Sequence, residues 1–311
     1  MRRYPEPDSR RLTQRLADSW GLESNQICID NGSIELIYAL MRSLGECKAL
    51  VVSPTFGEYR RAVEVCGGVV CNYWLESGNW ELNITELQAA MAGVDLVFLC
   101  NPNNPTGGLL TREELIPILE QAGNALVVVD EAFIDYVESA GQVYSVIELI
   151  SRFPNLLVLR SFTKFFAIPG LRLGYAAGAA GMIERIRNGQ DPWSVNCIAQ
   201  SVGMLLVEQQ TSAYCDQVRQ QVREEREALQ AALMNECSLT ARGTANFLLI
   251  DITTTGETSA GIAEKLAMQG ILVRDCASFG ISGQIRVAVR RQQENSKLVR
   301  ALAALLQNGR R

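Results

Sequence analysis

LVFLCNPNNPTGGLLTREELIPILEQAGNALVVVDEAF, residues 96–133, opens with an apolar run and breaks into a turn of prolines, asparagines and glycines. A helical pattern follows over residues 112–122, and a second apolar run covers residues 125–129. Runs that are apolar at consecutive positions suit strands covered on both faces. Strand, helix and strand in alternation predict a mainly parallel sheet dressed with helices.

The same rhythm extends in both directions. Further strand-like runs lie at residues 26–29, 49–52, 69–73 and 156–159, and further helical patterns at 34–44, 56–66 and 84–91. Near residue 211 the pattern changes to a long charged helix, DQVRQQVREEREALQAALMN. Strands are expected after it at 246–252 and 285–289, with a last helix at 292–306. The expected class is therefore α/β. Residues 26–210 form a large cofactor-binding domain, and residues 1–25 pack with 211–311 as a small α/β domain.

Composition narrows the chemistry. The chain has 311 residues, 20% of them charged, a net charge of −5 and no histidine. The missing histidine excludes histidine triads and histidine general bases, and with them most catalytic zinc sites. A mildly acidic chain without a lysine and arginine cluster gives no reason to expect nucleic acid or an anionic membrane as partner. Its nine cysteines are scattered without a C-x-x-C pair, which suits reduced, structural thiols and a cytoplasmic setting. The opening MRRYPEPDSRR has no apolar h-region, and no segment reaches the length of a membrane span.

In open parallel sheets, ligand-handling groups collect at the carboxyl ends of the strands. Four features fall there. DNGSIEL follows the first run, and its Gly32 and Ser33 open a helix whose free N–H groups suit a phosphate; an ordinary serine cap explains the same residues. NPNNPTGG follows the run at 96–100, where turn formation alone is a sufficient reason. Asp130 ends a very apolar strand, where it caps a turn, pairs with an arginine or serves chemistry. In SFTKFFAIPGLRLGY (residues 161–175), Lys164 is a lone ammonium among aromatic and aliphatic neighbours, with Ser161 before it and Arg172 after. An apolar setting lowers a lysine's pKa toward the neutral amine, the form that attacks carbonyls. Together the four supply what a ring-shaped cofactor bearing an aldehyde, a phosphate and a basic nitrogen needs. Lys164 is there for the aldehyde, Ser33 with Arg172 for the phosphate, and Asp130 to keep the ring protonated.

YPEP, GSIEL, SPTFGEY, NPNNPTG, VVVDEAF, SFTKFF..GLRLGY, ANFLL, ILVRDC and IRVAVR occur in that order from Tyr4 onward. In this the chain resembles the fold-type I, pyridoxal-phosphate-dependent aminotransferases, in the branch holding histidinol-phosphate aminotransferases and threonine-phosphate decarboxylases. The resemblance implies an aspartate aminotransferase-like large domain with a seven-stranded sheet, and a homodimer with shared active sites. It makes Lys164 the lysine that bonds the cofactor and moves protons at the substrate's Cα. Asp130 would pair with the pyridine nitrogen, Asn104 would donate to the ring's phenolate oxygen, and Phe56 would stack on the ring. Ser33, Ile34, Ser161 and Arg172 would bind the phosphate, joined by Tyr4 of the neighbouring subunit. Arg286 and Arg274 would grip the anionic ends of a small phosphorylated amino acid or amine.

Three details favour decarboxylation of O-phospho-threonine to aminopropanol phosphate, a step in making the cobalamin side chain. Phe133 stands where the aminotransferases usually carry a tyrosine that touches the phenolate oxygen, and DPWSVN and ILVRDCASF look more like the decarboxylases. Histidinol-phosphate or another amino-acid transamination stays open, as does a cofactor-binding protein without turnover. Measured against the family pattern, an N-terminal arm that helps close the site is expected to be absent. S-x-x-K at Ser161–Lys164 with S-x-N at Ser194–Asn196 also fits penicillin-binding acyl transferases. That family needs a K-T-G strand, and none of Lys48, Lys265 and Lys297 precedes Thr-Gly.

Overall fold

The structure, a computed structural model, describes residues 4–137, 144–209 and 213–308. Its main sheet has seven strands: β1 (Ile27–Asp30), β2 (Lys48–Ser53), β3 (Val69–Trp74), β4 (Leu96–Cys100), β5 (Leu126–Asp130), β6 (Leu156–Ser161) and β7 (Gly174–Gly178). Their spatial order is β1-β7-β6-β5-β4-β2-β3. Strands β2 to β6 pair in parallel, and β7 runs antiparallel to both of its neighbours, so β1 points the same way as β2 to β6. Cys100, Asp130 and Leu159 are register partners across β4, β5 and β6, which brings those strands' carboxyl ends level.

Every residue of β5 and β6 is buried, as the unbroken apolar runs require. One core cluster lies on each face of the sheet: Val97, Val127 and Val158 point into one, Phe98, Val128 and Leu157 into the other. The seventh strand, GYAAG, has no bulky run to announce it, and close packing is the reason. A Cβ on Gly174 would lie 2.5 Å from the backbone nitrogen of Ser33, and one on Gly178 would meet the Leu157 side chain at 2.9 Å.

The helix Arg10–Trp20 differs from expectation in its placement. Leu12, Leu16 and Ala17 join the core of the large sheet instead of the small unit, and Trp20 Nε1 donates to the Tyr175 hydroxyl at 2.9 Å. The reason lies in its apolar stripe, which recurs at helical spacing and faces the seam beside the helix Cys197–Gln209.

Behind β5 and β6 a charge is fully enclosed. Arg160 is 2% exposed and pairs with Glu131 at 3.0 Å and Asp135 at 2.6 Å, with its guanidinium 5.2 Å from the Trp20 ring. A buried cation persists only when paired in this way.

The second sheet comprises β8 (Ala241–Arg242), β9 (Phe247–Asp251), β10 (Arg274–Asp275) and β11 (Gln284–Ala288), in the antiparallel order β10-β11-β9-β8. The helices Ala213–Cys237 and Gln292–Asn308 pack on it around Leu233, Ile250, Ile285 and Leu302. It meets the large sheet where the Thr244 hydroxyl donates to the Gly107 carbonyl at 2.8 Å. Among the described residues no helix is long and apolar enough to cross a membrane, and no three His, Cys, Asp or Glu side chains cluster as metal ligands.

Candidate active site

The level carboxyl ends of β4, β5 and β6 bring the buried Asp130 near the half-buried Lys164. Asp130 closes β5 and is 4% exposed. Its Oδ1 accepts from the Ala132 amide at 3.0 Å and its Oδ2 from the Tyr59 hydroxyl at 2.7 Å. Burial pushes the carboxyl above its ordinary range, while Tyr59, the charge of Lys164 and the Ala132 amide pull it back.

Lys164 sits in the short helix Phe162–Phe165 directly after β6. Its Nζ donates to Ser161 Oγ at 3.2 Å and lies 5.8 Å from the centre of the Phe133 ring. Burial lowers its pKa, Asp130 raises it and Arg172 lowers it further. The Ser161 hydroxyl is itself bonded to Thr163 Oγ1 at 2.8 Å. The Lys164 carbonyl accepts from the Tyr136 hydroxyl at 2.8 Å, and that hydroxyl accepts from Asn246 Nδ2 at 3.1 Å.

At the next corner, Gly32 caps the helix Ser33–Leu44, whose first N–H groups, including those of the buried Ser33 and the half-buried Ile34, have no intrahelical acceptor. Arg172 reaches this end from the other side. Its backbone adopts the left-handed φ of 51°, and its guanidinium lies so close that a Cβ on Gly32 would be 2.8 Å from it. A helix N-terminus meeting a guanidinium is an anion cradle. Arg172 bonds only the Pro169 carbonyl, at 3.3 Å, and among the described residues no carboxylate neutralises it.

The asparagines of NPNNPTGG divide by task. Asn101 clasps the backbone of Leu110 through both ends of its amide, and Asn103 binds Pro54, Thr55 and Thr106, so both build the loop. Asn104 accepts through Oδ1 from Arg286 NH1. Arg286 is the register partner of Arg274 on β10, so two guanidinium groups stand opposite one another with Phe279 between them, at 5.9 and 5.6 Å. Like charges directly opposed destabilise a sheet unless something answers them, and neither has a carboxylate partner among the described residues. Arg274 also donates to Ser278 Oγ at 2.8 Å. Phe247 lies under Arg286 at 5.2 Å and edge-on to Phe133 at 5.1 Å, so an aromatic wall runs from the arginines to Lys164.

The structure thus brings Ser161, Phe133, Asp130 and Arg172 near Lys164, sets Ser33 and Ile34 at the helix end that Arg172 reaches, and links Arg286, bonded to Asn104, to Phe133 through Phe247. Phe56 is half-buried and meets Tyr59 edge-on at 5.5 Å. Tyr4 stands apart: it is 84% exposed, 5.6 Å from Trp193, and no hydrogen bond among the described residues ties it to this cluster. Tyr59, Tyr136 and Asn246 are residues that the sequence reading missed. A signal existed for Tyr59, which lies in SPTFGEY three positions after Phe56 and just inside the helix Glu58–Val65. Tyr136 and Asn246 meet only through the fold, 110 positions apart.

The chain has relatives among known proteins. The family model for aminotransferase class I and II matches residues 1–302. The threonine-phosphate decarboxylase of Salmonella typhimurium is 35% identical over 98% of this chain and 83% of its own length. The histidinol-phosphate aminotransferase of Symbiobacterium thermophilum is 33% identical over 98% of the chain and 83% of its own. Among solved structures, the histidinol-phosphate aminotransferase from Clostridium acetobutylicum superposes with a TM-score of 0.90 at 28% identity, covering 99% of this chain and 91% of that one. The L-threonine-O-3-phosphate decarboxylase from Porphyromonas gingivalis gives 0.86 at 25% identity, covering 98% and 91%. The half-buried lysine and buried carboxylate, the anion cradle and the opposed arginines therefore belong to an enzyme of the aminotransferase class I and II family.

Proposed function

We propose that this chain binds pyridoxal 5'-phosphate and decarboxylates O-phospho-L-threonine to aminopropanol phosphate, the reaction that serves cobalamin side-chain synthesis. The residues present fit the cofactor. Ser33, Ile34, Ser161 and Arg172 would hold its phosphate, Asp130 its ring nitrogen, Asn104 its phenolate oxygen, Phe56 its face and Lys164 its aldehyde carbon. When bound, the cofactor supplies an electron sink for the bond broken at the substrate's Cα. The protein's part is to bind and orient the substrate, exclude water and manage one proton. Lys164, lowered by burial, holds or releases that proton at Nζ.

For the substrate, the supporting observation is the opposed pair Arg286 and Arg274, cations without a carboxylate partner among the described residues, which suit a ligand with a carboxylate and a phosphate. For the reaction, it is Phe133: the ring that faces Lys164 carries no hydroxyl to compete for the phenolate oxygen or to shuttle a proton toward transamination. Transamination of histidinol phosphate is the second reading, supported by the 33% identity to an enzyme of that name. A homodimer with Tyr4 reaching the partner's phosphate site and a cytoplasmic location complete the proposal.

Incubation with pyridoxal phosphate and O-phospho-L-threonine is expected to release carbon dioxide one-for-one with amine product, without an added 2-oxo acid. Formation of a 2-oxo acid only when an amino acceptor is present would replace the decarboxylase by the aminotransferase. Inertness toward every phosphorylated amine would leave cofactor binding without turnover.

A further inference from the structure

We infer that Tyr59 is a positioning residue that holds Asp130 in place as a carboxylate. The inference rests on the reading of Asp130 as the partner of the cofactor's ring nitrogen.

The geometry begins with a fully buried phenol. Tyr59 is 0% exposed, on the helix Glu58–Val65, and a buried hydroxyl of this kind needs a hydrogen-bond partner. Its ring cannot swing to find another one. It is stacked on Phe98 with centres 4.8 Å apart and planes 5° apart, and Phe56 abuts it edge-on at 5.5 Å. The hydroxyl is therefore aimed at Asp130 Oδ2, 2.7 Å away, while the Ala132 amide takes Oδ1 at 3.0 Å. Two donors on two different oxygens fix the plane of the carboxylate and leave lone pairs on both oxygens for a third partner.

Charge points the same way. The groups acting on Asp130 are Tyr59 from its helix, Lys164 from the turn after β6 and the Ala132 amide. The Cys100 thiol from the end of β4 is also close, with its own pKa pushed up to about 12, so it stays neutral. Lys164 is the one cation in that set, and it is the group committed to chemistry. Tyr59 is thus the side-chain donor that remains constant. Burial and the neighbouring carboxylate push its own hydroxyl well above the usual range, so it donates at every working pH. A hydrogen bond to the ionised form favours that form, which offsets the burial of Asp130.

The test is Tyr59→Phe in the full chain, which keeps the stacked ring and deletes one oxygen. The carboxyl infrared band of Asp130, identified by its loss in Asp130→Asn, is titrated before and after loading with pyridoxal phosphate. The expected result is a rise of its midpoint by about one pH unit or more, a tenfold change in proton affinity. With O-phospho-L-threonine, kcat is expected to fall about 10- to 100-fold, the loss of one charge-assisted hydrogen bond, with KM within about twofold because Tyr59 touches no substrate. Phe98→Leu keeps the hydroxyl but loosens the stack that aims it, so the Asp130 midpoint is expected to rise by less than in Tyr59→Phe. An Asp130 midpoint unmoved by Tyr59→Phe overturns the inference. If the midpoint moves but Asp130→Asn leaves kcat and the cofactor's spectrum unchanged, Tyr59 does hold the charge of Asp130 and the reading of Asp130 is what fails.

Discussion

Replacing Lys164 by alanine is expected to lower turnover by at least about 10³-fold, and to remove the visible absorption that the wild-type chain acquires with pyridoxal phosphate. The size follows from two roles resting on one atom. Nζ is the amine that the geometry offers to an aldehyde, and it is the basic group beside the space where a substrate Cα would sit. Removing it costs a covalent attachment and a proton carrier together. Collapse of the fold is not an alternative explanation. Among the described residues Nζ makes one side-chain hydrogen bond, to Ser161 Oγ at 3.2 Å, and no ion pair within 4 Å, so the alanine variant is expected to unfold within a few degrees of wild type. A calorimetric scan beside the activity assay checks both halves.

Asp130→Asn is the second large effect. The amide keeps the shape, and its oxygen still accepts from Ala132, but the charge is gone. What is lost is a fixed charge in a water-poor site, an electrostatic contribution of the size a single preorganised group makes to a transition state, so turnover is expected to fall by about 10²- to 10³-fold. The sign of the accompanying pH effect follows from the neighbours of Lys164. Asp130 raises that amine's pKa, whereas burial and Arg172 lower it. Without the carboxylate the ammonium loses its largest favourable interaction, so its titration moves to lower pH. A pH series of cofactor capture should show the midpoint below that of wild type; a midpoint above it would contradict the electrostatics described for the site.

How much of this was legible beforehand depended on the range of the interactions. The strands that end in Cys100, Asp130 and Ser161 carried their own signal, because burial on both faces forces apolar residues at consecutive positions. Lys164 and Asp130 were legible for a related reason: a charge at the end of such a run stands out. Strand β7 was not, since its glycines and alanines record contact with Ser33 and Leu157, which are distant in sequence. The helix Arg10–Trp20 was assigned to the wrong unit, because an apolar stripe states that a helix is buried and not against what. Asn101, Asn103 and Asn104 looked alike in the sequence, and only their partners separate two loop-builders from the residue that meets Arg286. The opposition of Arg274 and Arg286 is a fact of β10–β11 register, twelve positions apart along the chain. Tyr59 lay within a motif already singled out, three positions after Phe56, but its link to Asp130 spans 71 positions.

The central claim is that one half-buried amine, near Asp130 and Arg172, is the group that takes the cofactor. The chain has four lysines, Lys48, Lys164, Lys265 and Lys297, so the claim reduces to which of them is marked. Loading the full chain with pyridoxal phosphate, reducing with borohydride and mapping the peptides by mass is expected to give one adduct per chain, on Lys164. Adducts on the exposed Lys48 or Lys297, with Lys164 unmodified at full loading, would contradict the account.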